Sequence, residues 1–293
     1  MQGPLVYVGI FGLFFILWLA GGGPDKPLSF AGPYLAPITG PGQTAQPYGD
    51  PSQYGSVNST IGVGPGGVSV SGSGNSTYTG SVMLSRDLTG TSATDPKSEY
   101  VVVSVSSSGK PVSTAGWKLV SGSGSGSFPQ GAEVARSGRV NQLAPITLEP
   151  GDRAIVVTGR SPIGISFREN QCTGYLEENQ DFRPALSMSC PSAWEEYGRY
   201  ADDDEESCRR FTQTVPYCSS ETDLPDNTSS SCRAFAEDYL DYNGCVDAHV
   251  KDSGFKNDTW RVFLGNKDEL WPRSNGTMTL VDADGKVIDS IKY

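Results

Sequence analysis

One histidine, His249, stands among the 293 residues of the chain. A single imidazole excludes a multi-histidine zinc site, and its neighbours Asp247 and Asp252 make no nucleophile-base pattern with any serine. Positive charge is also scarce: 22 Lys and Arg face 33 Asp and Glu, for a net charge of −11. Without a basic stripe, that balance repels phosphate and excludes nucleic acid as the expected partner. A Walker-type phosphate loop is missing, because SGSGSGS at 121–127 lacks the closing Lys-Ser/Thr and a following helix. Apolar residues make up only 37 %, and Gly, Ser, Thr and Pro concentrate between Gly21 and Gly80, so the folded part is expected to be shorter than the chain.

Long apolar runs are absent but for one. Pro4 to Ala20, PLVYVGIFGLFFILWLA, is 17 uncharged residues, just long enough to cross a bilayer as a helix. Its apolar contacts with lipid would come from Leu5, Phe11, Phe14, Phe15 and Trp18. A cleavable signal peptide is the rival reading. Trp18 near the would-be cleavage point and the lack of a basic n-region favour an uncleaved anchor over residues 1–22. A buried core helix is the remaining alternative. Lys26 alone flanks the span, so charge does not orient it. The six cysteines do: an even number in a tethered protein implies disulfides in an oxidising compartment. The expectation is a single-pass cell-membrane protein with its C-terminal domain extracytoplasmic.

Residues 23–79 carry GGGP, GPGQ and VGPGGVSVSGSGNS, a composition unable to bury enough apolar surface to offset ordering, and they predict a stalk. A short piece such as Gly67-Val68-Ser69-Val70 is expected at most to join a sheet edge. From about residue 80 the texture changes to SVMLSR, EYVVVSV (99–105), WKLV (117–120) and RAIVVTG (153–159). These β-branched runs, parted by SSSGKP, SGSGSGS and Pro150-Gly151-Asp152, predict an antiparallel sandwich. The final GTMTLVDADGKVIDSIKY predicts a hairpin about Asp284-Gly285 that completes the sheet begun at Ser81.

An insert at about 165–258 interrupts this β-body and holds Cys172, Cys190, Cys208, Cys218, Cys232 and Cys245. Residues 172–258 contain 19 acidic and 7 basic side chains, a net of −12, so the insert accounts for the acidity of the chain. Its helix signals are capping boxes at Ser192–Glu195 and Asp202–Glu205, and a segment Cys232–Leu240 stopped by Asn243-Gly244. Glu195 and Arg199 are spaced for an i, i+4 ion pair. Short loops favour sequential disulfides, Cys172 with Cys190, Cys208 with Cys218 and Cys232 with Cys245, among fifteen connectivities. Cys245-x-x-x-His249 offers two zinc ligands, against a disulfide beside a surface histidine. The run Asp202–Glu206 lacks the alternating ligands of a calcium loop and reads as a solvated or capping cluster, and Asp282-Ala283-Asp284-Gly285 needs only turn chemistry. No metal or other cofactor is expected.

Glu99-Tyr100-Val101-Val102, Gly116-Trp117-Lys118-Leu119, Leu148-Glu149-Pro150-Gly151 before RAIVVTG, and the closing ELWPRSNGTMTLVDADGKVIDSIKY occur in the order found in the lamin tail domain. Residues 80–165 and 259–293 together resemble that family, in the membrane-anchored type found in bacteria. The resemblance implies a mainly β, immunoglobulin-like sandwich and no known activity. The nearly hundred-residue, partly helical, cysteine-bearing insert departs from the family, which joins these two parts by a short connection.

With no catalytic constellation, the expected function is an extracytoplasmic interaction module that engages a protein or cell-surface partner. Trp194, Tyr197, Tyr200, Phe211, Tyr217, Tyr239 and Tyr242 of the insert are its candidate aromatic anchors, against the alternative that they fill the insert's own core. A metal-dependent or hydrolytic enzyme using the acidic insert, and a structural envelope component, are the other readings.

Overall fold

The computed structural model describes residues 62–64, 67–69, 75–201, 205–220, 224–225, 228–271 and 276–292. The chain divides into Met1–Ser56 and Val57–Tyr293, and only the second unit contains described residues. The expected anchor, with Leu5, Phe11, Phe14, Phe15 and Trp18, and most of the expected stalk lie outside them. Among the described residues no helix is long and apolar enough to cross a membrane.

The strands in chain order are β1 (Gly62–Gly64), β2 (Gly67–Ser69), β3 (Val82–Arg86), β4 (Tyr100–Val105), β5 (Val112–Ser113), β6 (Lys118–Val120), β7 (Ser125–Ser127) and β8 (Gln130–Ala132). They continue as β9 (Ala144–Pro145), β10 (Thr147–Leu148), β11 (Arg153–Val157), β12 (Ser166–Asn170), β13 (Lys256–Phe263), β14 (Thr277–Val281) and β15 (Val287–Lys292). A seven-stranded sheet runs β3-β4-β11-β13-β12-β8-β9 and a four-stranded sheet runs β15-β14-β6-β7. Two-stranded ribbons join β5 to β10 and β1 to β2, so the Gly67 piece pairs with its own neighbour.

The expectation of a purely antiparallel arrangement is corrected at two places. Strands β11 and β13 pair in parallel, as do β12 and β8, because each pair is joined by a long connection and not a hairpin. The terminal hairpin is present, with Gly285 at φ 75° in its turn, but it pairs with β6 and belongs to the four-stranded sheet. It meets β3, the strand after Ser81, only side-on, where the Asp289 carboxylate accepts the Leu84 N–H at 2.8 Å.

Alternation along the central strands decides what lies on each face. Val101, Val103, Ala154, Val156, Trp260 and Val262 share one buried cluster with Leu119, Met278, Leu280 and Ile288 of the other sheet. The intervening Tyr100, Ile155, Val157 and Phe263 point the opposite way, into a second cluster with Phe167, Tyr175, Leu176, Phe182, Leu186, Val246 and four cysteines. The seven-stranded sheet is therefore covered on both faces, by the four-stranded sheet on one side and by the insert on the other. Each fully buried Phe or Leu contributes roughly 1.5–3 kcal/mol, so the second cluster makes the insert an integral cover of the sheet.

The segment expected to be insert from about residue 165 instead begins after β12, which is a sheet strand, and ends at β13. It contains a 3₁₀ turn (Thr173–Leu176) and four helices: α1 (Ala193–Tyr200), α2 (Glu206–Thr212), α3 (Ser230–Tyr239) and α4 (Tyr242–His249). The sequential disulfides are overturned: Cys172 pairs with Cys245, Cys190 with Cys218 and Cys208 with Cys232. Loop-closure entropy rises by only about 0.6 kcal/mol per doubling of length, so short loops carry little preference, and tertiary packing sets the partners, helix against helix for Cys208–Cys232.

Two layers result. The inner layer carries Cys172–Cys245 and Cys190–Cys218 against the sheet, and Arg261 of β13 reaches into it, binding Glu169 and the carbonyls of Pro184 and Ala185. The outer layer has its own small cluster, Tyr197, Cys208, Phe211, Cys232, Phe235 and Leu240 among its members.

Candidate functional site

The outer layer is built on local signals that the sequence shows. Ser192 and Glu195 form the expected capping box at the start of α1, the Ser192 hydroxyl accepting the Glu195 N–H at 3.2 Å and the Glu195 carboxylate accepting the Ser192 N–H at 3.3 Å. That use of Glu195 corrects its expected pairing with Arg199, which instead reaches Asp252 at 3.8 Å. Asp202–Asp204 lie outside the described residues, and α2 starts after Glu205, whose carboxylate takes the Ser207 and Ser229 hydroxyls. Ser229 caps α3 by accepting the Cys232 N–H at 3.1 Å.

Asn243-Gly244 does not stop α3. Asp241 caps a further helix, α4, by accepting the Gly244 N–H at 2.6 Å, and both residues fall in its first turn. Gly244 is required there because an added Cβ would lie 2.1 Å from the Asp238 carbonyl oxygen, so α4 turns away immediately beside the end of α3.

This packing sorts the seven aromatic candidates. Phe211 is buried in the outer cluster and Tyr242 in the inner one, which corrects their assignment as partner anchors. The Tyr242 hydroxyl donates to the Ala135 carbonyl at 3.1 Å, and burial raises its pKa. Tyr197 is also buried, packing edge-on against Phe235 at 5.2 Å. Trp194 and Tyr217 are 42 % and 64 % exposed and belong to the surface. Tyr200 and Tyr239 are half-buried and stack on each other at 4.8 Å and 11°, and Tyr239 stacks on Phe235 at 5.5 Å.

Tyr197 and Tyr200 are three apart on α1, and Phe235, Asp238 and Tyr239 occupy i, i+3 and i+4 on α3, so each set shares one helix face. The two faces enclose a cavity of about 200 Å³ lined by these five residues among others. Asp238 is exposed at its rim and, among the described residues, has no ion-pair partner. The Asp238 carboxylate supplies a full charge that attracts a cation, and the stacked rings give the cavity apolar walls, with the Arg199 guanidinium already 6.0 Å from the Tyr200 ring centroid as a cation of the chain's own.

Behind the stack stands His249, on which Tyr200 packs edge-on at 6.0 Å and 82°. The expected surface histidine is corrected: His249 is 2 % exposed, because α1 and α4 close over it. Its Nε2 lies 2.8 Å from Glu196 Oε2 and its Nδ1 2.8 Å from Asp252 Oδ2. With both ring nitrogens engaged and no nucleophile hydrogen-bonded to the ring, this array cross-links α1 to α4. Asp247 is turned elsewhere, to Arg136 at 2.6 Å. The zinc reading loses its thiolate, since Cys245 is bonded to Cys172. Among the described residues no group of three His, Cys, Asp or Glu side chains converges as metal ligands would.

Sequence reasoning missed Glu196, Asp238 and Phe235. The signal for the last two was the CRAFAEDYL helix itself, whose i, i+3, i+4 face joins Phe235, Asp238 and Tyr239. Comparison with models of protein families, with curated proteins and with solved structures gave no match.

Proposed function

We propose that the protein is a membrane-anchored, extracytoplasmic interaction module that presents a lamin-tail-like, immunoglobulin-like β-sandwich and binds a cationic side chain of a protein or cell-surface partner through its helical insert. The observation that carries this reading is the tyrosine-lined cavity with Asp238, which has no ion-pair partner among the described residues, at its rim, set in a segment of net charge −12. Three disulfides support an oxidising location. The shared core of the seven-stranded and four-stranded sheets, with EYVVVSV, WKLV and RAIVVTG in strands, supports the sandwich.

The test uses the full-length chain and a pair of peptides that differ only by lysine or the neutral norleucine. The lysine peptide binds, and Asp238→Asn, which removes an exposed ion pair, or Tyr239→Ala, which opens the cavity wall, weakens it by about 2- to 5-fold. Equal binding of the norleucine peptide, or unchanged binding by both variants, contradicts the reading.

A further inference from the structure

A second concave region lies away from the insert's outer helices and shares no lining residue with the tyrosine cavity. It forms where β11 and β13 end together, since their parallel register places Val157 opposite Phe263. Two adjoining cavities, of about 500 Å³ and 440 Å³, meet there and share Arg160, Ser161 and Phe263. One is walled by apolar groups that include Leu143 and Ile165, while the other adds Lys97 and Arg183.

The polar groups on this wall are incompletely matched. Among the described residues neither Lys97 nor Arg160 has a carboxylate partner, in a chain that carries a net charge of −11. Arg183 is already paired with Asp181 at 3.0 Å, and Asp95 accepts the Lys97 N–H at 3.0 Å. The Ser161 hydroxyl oxygen is buried and, among the described residues, has no hydrogen-bond partner, an arrangement that is costly unless another molecule supplies one. Phe263, at 7 % exposure, floors both cavities and gives an apolar body something to lie on.

We propose that this cleft binds an amphipathic monocarboxylate. The carboxylate sits against the Arg160 guanidinium, and the Ser161 hydroxyl, enclosed in the free protein, turns about χ1 to donate to it, with Lys97 adding long-range attraction. The apolar body runs over Phe263 toward Ile165 and Leu143. Monoanion is the fitting charge: three basic and two acidic side chains, Lys97, Arg160 and Arg183 against Asp95 and Asp181, leave a lining of net +1, and the two carboxylates repel a dianion. Such a ligand could be a fatty-acid-like molecule or the free carboxyl end of a short peptide, two sources with the same recognition chemistry.

The test titrates the full-length chain in a nonionic detergent with octanoate and with N-acetyl-leucyl-leucine, each beside its neutral amide, by calorimetry. The amides correct for partition into the micelle. At least one carboxylate is expected to bind at least ten-fold more tightly than its amide, and which one does so identifies the source. Arg160→Ala lowers that affinity by ten-fold or more, Ser161→Ala by several-fold, and Lys97→Ala by a few-fold that disappears in high salt. Arg160 and Lys97 are exposed, so their variants keep the fold, which an unchanged thermal unfolding curve verifies. Equal binding of carboxylate and amide, no binding of either carboxylate, or full affinity in Arg160→Ala overturns the proposal.

Discussion

The inner and outer layers of the insert are made from one stretch of chain with one composition, yet they are held by different things. The inner layer leans on the seven-stranded sheet, and its aromatic residues Tyr175, Phe182 and Phe255 join sheet residues in one cluster. The outer layer has eight buried residues of its own and is tied back through the His249 array. The difference teaches that an acidic, cysteine-rich insertion can complete a domain at its base and still present a separate surface at its tip. Deleting the whole insert would consequently uncover the sheet, so its function has to be probed by point substitution.

Breaking the disulfides one at a time draws the sharpest contrast. Cys172 and Cys245 are 73 positions apart, and the chain-entropy relation gives about 4 kcal/mol for closing a loop of that length. Replacing both by Ala is expected to destabilise the whole body by about that amount, read as a shift in the denaturant midpoint. Cys208 and Cys232, 24 apart, close a loop worth about 3 kcal/mol. Their loss is expected to loosen α2 and α3 in hydrogen exchange while β4, β11 and β13 keep their protection.

The link between the layers is tested by Glu196→Leu. Removing its carboxylate leaves the buried His249 Nε2 without its partner, which costs roughly 1–3 kcal/mol, here at the low end because Asp252 still engages Nδ1. Amides of α1 should lose protection first, and those of β12 should not.

A smaller effect separates the β-body from both layers. Glu99 is buried at the start of β4, where its carboxylate accepts the Leu270 N–H at 2.8 Å and the Trp271 N–H at 3.2 Å. Desolvation outweighs these bonds and raises its pKa. The folded state therefore holds this proton more tightly than the unfolded chain does. Its contribution to stability is fully present below the ordinary glutamate value, about pH 4, and is lost as pH rises through the raised value. Asp152, also raised by burial first, adds in the same direction. Stability measured from pH 4 to neutrality should fall less steeply in Glu99→Gln than in the native protein.

Much of this architecture was legible in particular residues. EYVVVSV and RAIVVTG are strands β4 and β11, the Ser192–Glu195 box starts α1, and the Asp-Gly turn joins β14 to β15. The unread message in the same runs is their continuity. Val101-Val102-Val103 and Ile155-Val156-Val157 do not alternate with polar residues, as strands buried on both faces do not, and that pattern pointed to a cover that only the insert could supply. Disulfide partners were not legible because they depend on how distant segments pack, and the fate of Asn243-Gly244 because Asp241 starts a new helix immediately after the old one. For the aromatic candidates, helical spacing grouped Tyr197 with Tyr200, but which side chains remain open was decided by neighbours on other helices.

If the insert covers the second face of the sheet, side chains on either side of the boundary are energetically coupled, and a double-mutant cycle measures that coupling. Phe167 of β12 and Phe182 of the insert meet edge-on at 5.8 Å, and both are buried. Stability of Phe167→Ala, Phe182→Ala and the double variant should show a coupling of about 1 kcal/mol or more, as contacting residues do. Additivity within about 0.3 kcal/mol, the behaviour of independent sites, would contradict it.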